Sequence, residues 1–286
     1  MHDLHLNWRG PLSSCNYDCS YCPFAKATSS REELALDQAQ LERFVAWCEG
    51  PEAAARRLSI RFTPWGEALI RPYYAAALVA LSKLEHVAAV AIQTNLSGRL
   101  ELLAEAERAS LALWTTFHPT QTSVERFVER CAELDAMGLR YSVGVVGLRE
   151  HFELIDQLRA RLQPEVYVWI NAYKSAGPGY YQPGEAERLA AIDPGFALNA
   201  VRHASRGQAC GAGREALFVS GDGTVRRCHF VAELLGNLYT DGVAALLGEA
   251  PCPVDRCGCF IGYAHLDRLR VRERFGDGLA ARMLSP

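Results

Sequence analysis

Six short apolar runs, at 4–8, 58–62, 87–94, 111–117, 141–146 and 166–171, alternate with stretches of helical periodicity near 37–49, 72–84, 99–108, 123–137 and 150–162. Strands separated by helices cannot pair as hairpins. Each connection has to cross over, and a succession of crossovers builds a parallel sheet. The fold class expected is α/β. Whether such a sheet curls toward a barrel or stays doubly wound, chemistry is expected at the carboxyl ends of its strands.

The pattern breaks at 175–184, where Gly-Pro-Gly-Tyr-Tyr-Gln-Pro-Gly reads as a loop. Residues 1–184 are therefore expected to form the βα unit and 185–286 a smaller second unit, opening with a short helix near 185–191. With 286 residues the chain can bury a barrel-sized core and carry such an appendage. Alternating charges at 266–275 read as a solvated helix face. No internal repeat is visible.

Thirty Lys+Arg against 33 Asp+Glu leave no basic footprint for nucleic acid or an anionic membrane. No apolar run reaches the ~20 residues of a membrane span, and the N-terminus lacks a basic region followed by an apolar one. A cytoplasmic protein is expected, with thiols free or bound to metal. Of ten cysteines, eight fall in two groups, 15–22 and 210–259. Cys48 and Cys131 sit beside apolar neighbours such as Phe44 and Phe127 and read as core thiols, with hydrogen-atom donation the less ordinary alternative.

Cys15, Cys19 and Cys22 stand in the spacing Cys-x3-Cys-x2-Cys, with Tyr21 before the last. Three soft thiolates so close suit one iron–sulfur cluster with one iron left open. The alternative is a structural zinc knuckle, which would want a fourth Cys or His within a few residues, but the next Cys is Cys48 and the next His is His86. In this spacing the chain resembles the radical S-adenosylmethionine (SAM) superfamily. That resemblance implies an open (β/α)6 partial TIM-like barrel and a [4Fe-4S] cluster whose open iron is chelated by SAM.

Weaker motifs follow in the superfamily's order. Thr63-Pro64-Trp65-Gly66-Glu67-Ala68 resembles its Gly-Gly-Glu-Pro element, which implies that Gly66 and Glu67 receive the amino group of SAM. A plain turn is the alternative. Thr94-Asn95-Leu96 resembles Thr-Asn-Gly and gives Asn95 a polar or turn role. Val143 to Glu150 resembles Gly-x-Ile-x-Gly-x-x-Glu, which implies an adenine-side wall at Val145, Gly147 and Glu150. Thr116, His118, Asn171, Tyr173 and Lys174 lie at later strand ends. Among them His118, Tyr173 and Lys174 are the candidates for catalysis.

In the second group, Cys210 and Cys228 flank Leu217 to Gly223, an apolar run ending in Asp-Gly, which is a hairpin signal. Cys252, Cys257 and Cys259 follow. The arrangement resembles the SPASM/twitch extension of radical SAM enzymes and implies an auxiliary [4Fe-4S] cluster. Four thiolates saturate such a cluster, so one of five is spare: Cys210, Cys228, Cys257 and either Cys252 or Cys259 are the expected ligands. A zinc ribbon is the alternative.

The resemblance thus implies reductive cleavage of SAM to a 5′-deoxyadenosyl radical and hydrogen abstraction from a substrate. The first reading is oxidation or cross-linking of a peptide, with a precursor peptide, a separate leader-binding protein and a flavodoxin- or ferredoxin-type reductant as partners, and neither nucleic acid nor membrane. The second is dehydrogenation of a small molecule such as a sugar or aminocyclitol. A non-catalytic iron–sulfur or zinc scaffold is the reading from a different class.

Overall fold

The computed structural model describes residues 3–24 and 27–284. β1 (Asp3–Arg9), β2 (Arg57–Phe62), β3 (Val87–Thr94), β4 (Leu111–Phe117), β5 (Arg140–Gly147) and β6 (Val168–Ala172) lie side by side in chain order, all parallel. Between them run α1 (Arg31–Glu49) with the one-turn α2 (Pro51–Ala54), α3 (Pro72–Ser82), α4 (Val124–Met137) and α5 (Phe152–Arg161). This is the expected parallel α/β architecture. The sheet does not close, since β6 pairs only with β5 among the described strands.

Local chemistry explains the helix ends. Ser30 and Glu33 form a reciprocal capping box on α1, Glu33 N donating to Ser30 Oγ at 3.1 Å and Ser30 N to Glu33 Oε2 at 2.7 Å. Pro72 opens α3, where its missing N–H costs nothing. α4 starts at the Ser123 cap and stops at Gly138, whose φ of +69° suits glycine alone without strain. The helix expected at 99–108 is only a 3₁₀ turn, Leu100–Leu103. Tertiary contacts override its propensity: Ser82 accepts Glu107 N at 2.9 Å and Ser110 Oγ at 2.6 Å, which folds the chain back onto the end of α3.

After α6 (Pro183–Ile192), α7 (Phe196–Asn199) and β7 (His203–Ala204), the chain returns to the same sheet. β8 (Ala216–Ser220) lies parallel to β1 on the side away from β2, and β9 (Thr224–Arg226) and β10 (Leu234–Asn237) continue antiparallel. The Asp-Gly turn joins β8 to β9 as expected, with Gly223 at φ +90°. β11 (Arg256–Cys257) pairs with β7.

The sheet has two distinct faces. Leu6, Trp8, Ile60, Phe62, Leu113 and Val145 point out into the main core beneath the helices. The opposite face carries Trp114, Trp169 and Phe218, which pack with Phe260, Tyr263 and Phe275 of the returning chain. Residues 266–275 are a solvated face in part: Asp267, Arg268, Arg270 and Glu273 are exposed, but Leu266, Val271 and Phe275 are buried, and the helix runs only from Val271 to Phe275. The 3₁₀ segment Gly276–Ala281 lies across the inner face, where Arg61 of β2 donates to the carbonyls of Leu279 and Ala280 and Ser142 of β5 to that of Ala281. No described helix is long and apolar enough to cross a membrane.

Candidate active site

The first cysteine group occupies the loop leaving the carboxyl end of β1. Its root is fixed by Asp37 of α1, which accepts from Leu12 N at 3.1 Å and from the hydroxyls of Tyr73 and Tyr74. A Cβ on Gly10 would stand 2.2 Å from this carboxylate, so the chain passes only because glycine is there. Tyr17 N donates to Cys15 Sγ (3.4 Å), Cys22 N to Cys19 O (3.1 Å), and Cys19 Sγ lies 3.4 Å from His118 Nδ1. The His118 ring also stacks on Tyr21, whose hydroxyl is 3.0 Å from the same nitrogen. Burial pulls this imidazole down to about 4, so it is neutral near pH 7. His118, a candidate for chemistry, holds the cysteine loop.

Gly66 and Glu67 stand beside that loop. A Cβ on Gly66 would fall 1.8 Å from Ser14 O, so glycine there is dictated by the main chain just before Cys15. Gly66 and Glu67 both line the cavity that holds the first cysteine group, and the Glu67 carboxylate is tied into the fold. It is buried and accepts from Leu69 N (3.0 Å), Thr94 Oγ1 (2.8 Å) and Asn95 N (2.6 Å), tying the loop after β2 to the end of β3. Burial pushes it up to about 7 against the pull of these donors. Leu96 occupies the usual glycine position at φ +59°, a conformation costing roughly 1–2 kcal/mol for an L residue. Its burial and the bond from Leu96 N to Thr94 Oγ1 (3.0 Å) hold it there.

Glu67→Gln turns an amide NH₂ toward one of these donors. An unmet buried donor costs about 1–3 kcal/mol, so the variant should melt several degrees below the parent in a thermal scan. An unchanged Tm would show that Asn95 N–H finds another acceptor.

In the fifth unit, β5 alternation turns Val145 outward into the helix-covered core, whereas its neighbour Val146 faces the cavity. Val145, expected on an adenine-side wall, is thus a core residue. Glu150 is exposed and lies off both cavity walls. Gly147 gives its carbonyl to the Tyr181 hydroxyl (2.6 Å), and Gly144 makes room for the Trp169 ring, which a Cβ would meet at 1.9 Å. Tyr173 packs on Tyr180. Lys174 Nζ donates to Asn199 O (2.6 Å) and Oδ1 (3.0 Å), and burial lowers it to about 8.

The second group lies across the cavity. Cys210, Cys228, Cys252 and Cys257 are within mutual electrostatic reach, and burial pushes the Cys228 and Cys257 thiols up to about 12. Gly262 leaves room for the Cys257 sulfur, which a Cβ would meet at 2.8 Å. Cys259 lies within reach both of Cys257 and of the cations Lys174, Arg282 and Arg9. A cavity of about 870 Å³ holds the first group, and one of about 550 Å³ holds the second. They share Cys22, Phe24, His118, Trp169, Phe230 and Cys259 as common wall.

No protein-family model matches the chain, and no curated protein matches it. Solved structures do. anSMEcpe with bound AdoMet aligns at a TM-score of 0.54 and 13% identity, covering 85% of this chain and 77% of that one. The same enzyme with AdoMet and a Cp18Cys peptide aligns at 0.52 and 15%, covering 85% and 80%. Streptococcus suis SuiB bound to S-adenosylmethionine aligns at 0.58 and 15%, covering 86% and 66%. These neighbours are radical SAM enzymes. The chain has the radical SAM fold.

In radical SAM terms the donor set fits. Three thiols project from one loop onto one wall, braced by His118 and Asn95 and closed behind by the Gly66 contact with Ser14. Among the described residues no three His, Cys, Asp or Glu side chains crowd one point as a single metal ion requires. Reasoning from sequence missed Trp114, Trp169 and Arg282 on this wall. For the two tryptophans the signal was present, since they share strand parity with Thr116 and Asn171.

Proposed function

We propose that the chain is a radical SAM enzyme that oxidises or cross-links a peptide. The carrying observation is the common wall. Two thiol groups, one of three and one of four, open onto adjoining cavities large enough for a cofactor and a segment of substrate together. Cys15, Cys19 and Cys22 would hold the cluster that binds SAM, and Cys210, Cys228, Cys252 and Cys257 an auxiliary one. A reduced cluster with SAM supplies a 5′-deoxyadenosyl radical that takes hydrogen from an unactivated carbon.

The protein's own part is positioning and exclusion. Glu67 and Asn95 fix the rim of the SAM side through the bonds that join β2 to β3. Phe24, Trp169 and Phe230 line the passage between the thiol groups and keep water from a reactive intermediate. A peptide substrate is supported by the cavity's size and by the neighbour solved with a peptide. A flavodoxin- or ferredoxin-type reductant and a separate leader-binding protein complete the system.

Anaerobic reconstitution should load about eight irons, four per cluster. Dithionite with SAM should then release methionine and 5′-deoxyadenosine. Tightly bound zinc, at most one cluster and no cleavage of SAM would overturn the reading in favour of a scaffold.

A further inference from the structure

Two polar groups on the cavity wall are buried without a partner. Arg282 is 3% exposed, and its Nε has no hydrogen-bond acceptor; Trp114, also 3% exposed, leaves its indole Nε1–H unmet. Both surround the same two rings. The Arg282 guanidinium lies 4.5 Å from Trp169 and 4.4 Å from Phe260, while Trp114 packs on these rings at 5.5 and 5.4 Å. Both residues line the larger cavity. No described carboxylate pairs with Arg282, in contrast to Arg214 and Arg188, which each bind two or more.

A buried guanidinium without a counter-charge is costly, and a buried indole N–H without an acceptor adds to that cost. Trp8 Nε1 and Arg71 Nε are also buried without a partner, but other buried guanidinium groups are satisfied. Arg61 is buried too, but its three nitrogens donate to Leu279 O, Ala280 O and Asn7 Oδ1. Arg227 likewise donates to the carbonyls of Ala212, Ala250 and Pro251. The Arg282 guanidinium lies against the Trp169 and Phe260 rings on the cavity wall. Arg9 and Lys174 add positive charge to the same region around Cys259. The buried acids do not offset it: Asp37, Glu67 and Asp193 are engaged by the backbone donors of Leu12, Asn95 and Ile170.

We infer that Arg282 and the Trp114 indole form a carboxylate-binding subsite on the wall of the substrate cavity, so that the molecule this enzyme acts on presents a carboxylate there. The inference rests on the proposed function only in treating this cavity as the substrate's. A planar guanidinium matches two carboxylate oxygens, and the indole N–H supplies a third donor. The carboxylate comes from an acidic side chain of a peptide or from a free organic acid.

Binding to the reconstituted holoenzyme, followed by tryptophan fluorescence, separates these cases without turnover. The probes are a nine-residue peptide with one internal glutamate, its glutamine counterpart, and glutarate. The glutamate peptide should bind saturably and at least about tenfold more tightly than the glutamine peptide. Saturation by glutarate alone would keep the subsite and assign it to a free acid. Arg282→Lys and Trp114→Phe, which preserve the charge and the ring respectively, should each weaken the acidic probe by about tenfold or more while iron content and near-UV circular dichroism stay unchanged. Equal affinity for both peptides with no response to glutarate, or full affinity in folded Arg282→Lys and Trp114→Phe proteins, would overturn the inference. Because SAM cleavage is measured separately, an enzyme that binds the acid but leaves SAM intact would refute the proposed function and leave the subsite standing.

Discussion

Any single replacement among Cys15, Cys19 and Cys22 by Ala should abolish 5′-deoxyadenosine formation, and replacing all three should remove half of the bound iron. The three thiols leave the same loop and line the same cavity, and the one further cysteine on that cavity, Cys259, comes from the returning chain rather than from the loop. Cys48 and Cys131 are buried under the helices on the far face of the sheet. The loop's bracing by Asp37, Gly66 and His118 belongs to the fold, so the triple variant should keep its far-UV circular dichroism. A folded variant that still released 5′-deoxyadenosine at the parent rate would refute the assignment of this site.

Cys228→Ala should separate two activities. Cys228 is buried among Cys210, Cys252 and Cys257 and lies on the opposite side of the shared wall from the first group. Its loss should remove about four irons and stop product formation, yet leave some uncoupled SAM cleavage. Cys259→Ala should keep all of the iron, because Cys252 is within reach of Cys210, Cys228 and Cys257, whereas Cys259 is shared between Cys257 and the cations Lys174, Arg282 and Arg9. Metal binding is coupled to folding, so iron counting and circular dichroism must accompany the assay. A folded Cys228→Ala protein without the second cluster but with normal turnover would reduce that cluster to a structural role. Loss of iron in Cys259→Ala would move the fourth ligand from Cys252 to Cys259.

The parallel sheet was legible because its strands carry short apolar or alternating runs that stand out against their helical flanks. The cysteine spacings were equally plain. What the chain order concealed were matters of direction. Val145 and Val146 are indistinguishable as neighbours, yet the pleat sends one to the core and the other to the cavity. Nothing local shows that Thr94 and Asn95, nearly thirty residues on, bring Glu67 two donors beside the one from Leu69 N. Arg282 carries no signal at all: its meaning depends on Trp169 and Phe260, which only the folded inner face brings together. The segment 99–108 has strong helix formers, and its failure to form a helix follows from the bonds to Ser82.

The position of β1 between β2 and β8 sets a timetable for the growing chain. One edge of β1 can pair as soon as β2 emerges, but the other waits for residues 216–220, made about two hundred residues later. At roughly 5–20 residues per second the ribosome needs roughly ten to forty seconds to deliver them. Throughout that interval the strand that carries the first cysteine loop has an open flank, an edge on which a neighbouring nascent chain can add. If the first cysteine loop holds the proposed cluster, its strand is flanked on both sides only after that interval, so a settled loop is offered to metal late in the making of each chain.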